Sequence, residues 1–95
     1  MNIFAEFEEI IRSCYQTLAE RHNFSKDIDM SKCVVELPRD EANGDLACNV
    51  ALVLAKSLKQ TPKALAELFV NELKNTSSVL SCEIAGPGFI NIRLD

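Results

Sequence analysis

Near the carboxyl end, Phe89, Asn91 and Arg93 recur at every second position, directly after a Gly86-Pro87-Gly88 run. On an extended strand alternate side chains share a face, so an aromatic ring, an amide and a guanidinium would line up. Those groups suit the reading of an unpaired nucleotide. The ring stacks on a base, worth about 1–3 kcal/mol, the amide pairs with a base edge, and the guanidinium reaches phosphate. Gly86 and Gly88 carry no side chain to obstruct close approach of a ligand to the backbone. The same residues also fit a plainer arrangement, in which Phe89 covers the edge of a subdomain, Asn91 is an ordinary surface amide and Gly-Pro-Gly is only a turn.

The parity that aligns these groups depends on the elements around them. Leu80, Cys82 and Ile84 alternate with Ser81 and Glu83, and Ile90, Ile92 and Leu94 alternate with Asn91 and Arg93. This period of two predicts a hairpin of Val79–Ala85 with Phe89–Leu94. A three-residue loop from Gly86 to Gly88 sets Ile84 opposite Ile90 and Cys82 opposite Ile92, so that the apolar faces coincide. Upstream, Ile3, Phe4, Phe7, Ile10, Ile11, Cys14, Tyr15 and Leu18 follow the spacing of an amphipathic helix ending near Arg21–Asn23. Cys33–Leu37 reads as a short strand stopped by Pro38. Asp45 occupies an N-cap position, and Leu46, Val50, Val53, Leu54 and Leu58 then make a second helical stripe. Thr61-Pro62 opens a third helix through Leu65, Phe69 and Leu73. The expected fold class is α+β, three helices packed on one face of a small antiparallel β-sheet, with the opposite face or its rim presenting Phe89, Asn91 and Arg93.

Composition narrows the partners. Ninety-five residues, 47% hydrophobic and 25% charged, fit one globular domain, 1–95. No apolar run is long enough to span a bilayer, and no membrane partner is expected. The net charge is −4. Residues 1–45 hold ten acids and five bases, residues 46–95 four acids and five bases. A free-standing nucleic-acid binder is usually basic, so contact with RNA would be local, beside a larger and more basic surface. Cys14, Cys33, Cys48 and Cys82 form no Cys-x-x-Cys pair and read as four reduced core thiols of a cytoplasmic protein; no metal site is expected. Asp40, Glu41 and Asp45 read as a solvated loop and a cap. Lys56, Lys59 and Lys63 form a mild basic cluster, read as a solvated face with contact to phosphate as the alternative. No Walker loop, dinucleotide fingerprint or nucleophile–base pair is present, so no catalytic residue is assigned.

Two stretches resemble a known family. Val35-Glu36-Leu37-Pro38-Arg39-Asp40-Glu41-Ala42-Asn43-Gly44-Asp45-Leu46-Ala47-Cys48-Asn49-Val50-Ala51 is similar to the segment that opens the first long helix of the arginyl-tRNA synthetase N-terminal domain. Glu83-Ile84-Ala85-Gly86-Pro87-Gly88-Phe89-Ile90-Asn91-Ile92 resembles the strand–turn–strand that ends it. Leu46 stands where that family usually has an aromatic, and Cys48 where it usually has Thr or Ser. The resemblance implies a tRNA-recognition module placed before a class I catalytic domain and contacting the D-loop at the outer corner of tRNA(Arg). The family's contacts carry over to Phe89 and Asn91, and to Gly86. The implied parent is an arginine–tRNA ligase, expected to be monomeric, with ATP and magnesium held in a catalytic domain outside this sequence; this sequence itself would be no enzyme and would hold no cofactor. Its partners would be the tRNA(Arg) D-loop and the remainder of the synthetase. The rival expectation is a protein–protein or interdomain docking module without RNA contact. The sequence stops at Asp95 directly after the last strand and is read as a piece of a longer chain.

Overall fold

The apolar stripe at the amino end forms helix α1, Ile3–His22, in a computed structural model that describes residues 2–95. The Asn2 side chain accepts from the backbone N–H of Phe4 and Ala5 and so caps two otherwise unpaired donors. The helix ends where Asn23 turns left-handed at φ 58° and its N–H bonds Ala19 O. Phe7, Ile11, Cys14, Tyr15 and Leu18 form the buried stripe. The Tyr15 hydroxyl donates to Ser25 O, which ties the following loop back onto the helix.

Strand β1 is only Val35–Glu36, shorter than the expected Cys33–Leu37. A 3-10 turn, Glu41–Asn43, leads to β2, Leu46–Cys48. Helix α2 follows at Val50–Leu58 and α3 at Pro62–Leu73. The Thr61 hydroxyl accepts from Ala64 N at 3.1 Å, as the Thr-Pro signal predicts. The chain closes with β3, Val79–Ala85, and β4, Phe89–Leu94. All pairings are antiparallel, in the order β1-β2-β4-β3. The hairpin register is the expected one: Ile84 faces Ile90 and Cys82 faces Ile92. Val35, Leu46, Cys48, Cys82, Ile90 and Ile92 join the helical stripes in one core, so the helices cover one sheet face and leave the other open.

Two sequence expectations are corrected. Asp45 does not cap a helix, and Leu46–Cys48 is not helical. The Asp45 N–H donates to Ile92 O at 2.8 Å, and its carboxylate accepts from Leu94 N at 2.8 Å. Its capping chemistry is thus used on β4, and β2 is inserted between β1 and β4. Leu46 and Cys48 point inward at 2% and 1% exposure with Ala47 on the other face, an alternation hidden because Leu46 and Val50 also stand four apart. Asn49 precedes α2 without capping it. Its side chain instead accepts from Val34 N at 2.7 Å and donates to Lys32 O at 3.2 Å, which fixes the approach to β1. The second correction is Leu80. The register slips between Val79 and Ser81, Val79 turns inward, and Leu80 is left 64% exposed on the bulge.

Candidate nucleic-acid interface

The open sheet face collects side chains of alternate parity from all four strands. Phe89, Asn91 and Arg93 come from β4, with Ala47 of β2 and Glu83 of β3 standing on either side of Asn91. Phe89 is 39% exposed and Arg93 is exposed. Asn91 points to the same face, yet it is only 8% exposed. The expectation of a freely exposed surface amide is corrected here: β4 is a central strand, and its neighbours wall the side chain in. Among the described residues the Asn91 amide makes no hydrogen bond, and no fully buried side-chain N or O lacks a partner. Its polar atoms therefore keep an opening to the surface, at the floor between two clefts.

The larger cleft, about 410 Å3, runs between Phe89 and the segment that follows β1, with Leu37, Pro38 and Arg39 on the far wall. Leu37 is 71% exposed. These wall residues lay inside the first quoted family stretch, but nothing in their types or spacing marked them as partners of Phe89. Only the antiparallel placement of β1 and β2 beside β4 does so. The floor is Ala47 and Asn91, and Ala47 keeps it low enough for a flat group to settle against the ring.

Asn43, at the end of the 41–43 turn, lines both clefts. An Arg93 guanidinium N–H donates to Ala42 O, which holds the turn against β4 and leaves other guanidinium donors facing out. Gly44 lets this turn reach the sheet. Its φ is +149°, and a Cβ there would lie 2.9 Å from Ile92 O. At the other end, Gly86 adopts φ +56°, and a Cβ there would meet nothing within 4 Å, so the hairpin tip is open on that side.

The thiols lie apart from this face and are chemically quiet. Burial pushes Cys14 and Cys33 up to about 11 and Cys48 up to about 12, and raises Cys82 as well. Neutral thiols are poor nucleophiles and poor metal ligands. Among the described residues no group of three or more His, Cys, Asp or Glu gathers as a metal set, and no helix is long and apolar enough to cross a membrane.

The architecture defines a class: a small α+β unit with three helices behind a four-stranded antiparallel sheet and an aromatic ring, an amide and a guanidinium on its open face. Residues 5–94 match the family described as the arginyl tRNA synthetase N terminal domain, and the chain belongs to that family. It is 49% identical over 94 residues to an arginine–tRNA ligase of Methylorubrum extorquens and 46% identical to one of Bartonella henselae, covering 99% of this chain and 16% of each relative. Among solved structures, it superposes on the arginyl-tRNA synthetase of Plasmodium falciparum with a TM-score of 0.76 at 17% identity, covering 98% of this chain and 16% of that one. For the Thermus thermophilus enzyme the values are 0.72 and 20%, covering 99% of this chain and 14% of that one. The fold is thus shared at low identity, and the chain spans about one sixth of the length of the curated relatives it matches.

Proposed function

We propose that residues 1–95 form a tRNA-recognition unit of an arginine–tRNA ligase and that the open sheet face contacts the D-loop of tRNA(Arg). The carrying observation is the pairing of a half-exposed ring, Phe89, with the unpartnered amide of Asn91 on the floor of the same cleft. An unstacked base laid on the ring would bring an edge to that amide, which can donate and accept. Gly86 leaves the hairpin tip open to the nucleotide's backbone, and Arg93 offers its remaining donors to phosphate. In this reading ATP and magnesium belong to the catalytic part of the parent, and no residue here is assigned to them or to a chemical step. Family membership and the relatives' names support the assignment to a ligase. The acidic chain fits a unit that contributes one local contact while the rest of the enzyme supplies most of the affinity.

Replacing Phe89 by alanine in the full-length protein should weaken tRNA(Arg) binding about 5- to 150-fold, the loss of one stacked base, with ATP and arginine binding retained. Charging rates at limiting tRNA measure this. Unchanged charging would remove the RNA reading and favour a protein-docking face, to which the 71% exposure of Leu37 would then belong.

A further inference from the structure

We infer that Lys56, Lys59 and Lys63 form a phosphate-backbone contact that carries the RNA-facing surface over the Gly86–Gly88 turn to the α2–α3 junction. This rests on the reading of the open face above and adds a chemically different contact to it. From Leu46 to Ala66 the sequence has these three lysines and no acidic residue, in a chain of net charge −4. The next acid, Glu67, stands one turn after Lys63 in α3 and makes no ion pair with it among the described residues. All three are exposed, and the ion pairs of the described residues use Arg12, Arg21 and Lys26 instead. Lys56 lies in the last turn of α2, Lys59 is its left-handed cap, and Lys63 is the second residue of α3.

The hairpin turn rests on this junction. A Cβ on Gly88 would lie 2.9 Å from Pro62 Cβ and 3.3 Å from the Pro62 carbonyl carbon, so the turn and the first residues of α3 are in close contact. From this contact the chain runs through Phe89 into β4 on one side and through Lys63 into α3 on the other. A strand of RNA with one base on Phe89 and its backbone crossing the open Gly86 corner would next meet the lysines. On the open face Arg39 and Arg93 share the two clefts with Glu36 and Glu83, so Arg93 can add one phosphate contact there but the face is not a net cationic surface. Lysine, a mobile point charge without a planar fork, suits a phosphate better than a base edge. Such contacts set the register of the nucleic acid and leave the choice of base to other groups.

The test is tRNA(Arg) binding to the full-length protein across a salt series. It compares the wild type, Phe89→Ala, and a triple variant carrying Lys56→Gln, Lys59→Gly and Lys63→Gln. Glycine at 59 suits the left-handed φ of 56°, so charge is removed without straining the cap. Each lost phosphate contact should lower the slope of log K against log salt by roughly 0.7–0.9. The triple variant should therefore show a slope shallower by about 2, with Phe89→Ala weaker at unchanged slope. A triple variant with wild-type slope and affinity beside a weakened Phe89→Ala would overturn the inference and leave the open-face reading standing. Wild-type binding by Phe89→Ala would remove that reading and the path over the turn with it. Should the triple variant unfold, Lys63→Gln alone must still lower the slope, and an unaltered slope there would overturn the inference equally.

Discussion

Alanine at Gly44 should lower the unfolding free energy by about 3 kcal/mol, a large share of the 5–15 kcal/mol typical of a domain, although it adds only a methyl group. Two costs combine. A side chain at φ +149° is strained, on the order of 1–3 kcal/mol. The new Cβ would also sit 2.9 Å from Ile92 O and 3.3 Å from Ile92 C, and these are backbone atoms of a central strand that cannot swing aside. Moving the Gly44 segment away stretches the Asp45 N–H bond to Ile92 O and the Leu94 N–H bond to the Asp45 carboxylate, each worth about 1 kcal/mol. Gly86→Ala provides the comparison. It meets left-handed strain at φ +56° but no neighbour within 4 Å, and should cost only about 1 kcal/mol. Urea unfolding of the two variants measures the difference. Equal losses would mean that the contact of residue 44 with β4 contributes nothing. Because Asn43, next to Gly44, lines both clefts, Gly44→Ala should also weaken tRNA binding at temperatures where the protein remains folded.

Truncating Phe69 to alanine should cost about 3–5 kcal/mol, the usual range for a fully buried aromatic. The ring is 0% exposed in α3, the helix that touches α1, α2, β3 and β4. A cavity there has walls from both layers, and the sheet cannot close on it without disturbing the paired β3 and β4. Phe69→Leu, which keeps most of the volume, should lose much less. A loss below about 1.5 kcal/mol for Phe69→Ala would show that α3 is not the keystone of the core. The helix also carries Pro62, on which the hairpin tip rests, so packing behind the sheet and shape in front of it are linked through one element.

Where local chemistry and tertiary context agree, the fold can be read from residues alone. Phe7, Ile11, Cys14, Tyr15 and Leu18 point one way on α1 whatever they pack against, and Thr61-Pro62 starts α3 by its own hydrogen bond. The apolar parity of Cys82, Ile84, Ile90 and Ile92 leaves one hairpin register, which brings Phe89, Asn91 and Arg93 to the open face. Where two local solutions compete, context decides. Asp45 can accept from the first turn of a helix or from a strand; the nearby Leu94 N–H wins, and Leu46–Cys48 becomes the strand between β1 and β4. Leu80 fits an inward alternation, but the bulge at Val79/Ser81 turns it out. The low exposure of Asn91 and the wall made by Leu37 and Pro38 follow from strand order, and strand order depends on β2, the element with the weakest signal of its own.

The most direct measurement of the central claim is a photocrosslink from the sheet face itself. Benzoylphenylalanine in place of Phe89 keeps an aromatic group at the cleft in the full-length protein, and primer extension maps its attachment on tRNA(Arg). Attachment to an unpaired nucleotide of the D-loop is the predicted result; attachment confined to the acceptor stem or anticodon arm, or to protein alone, would contradict it.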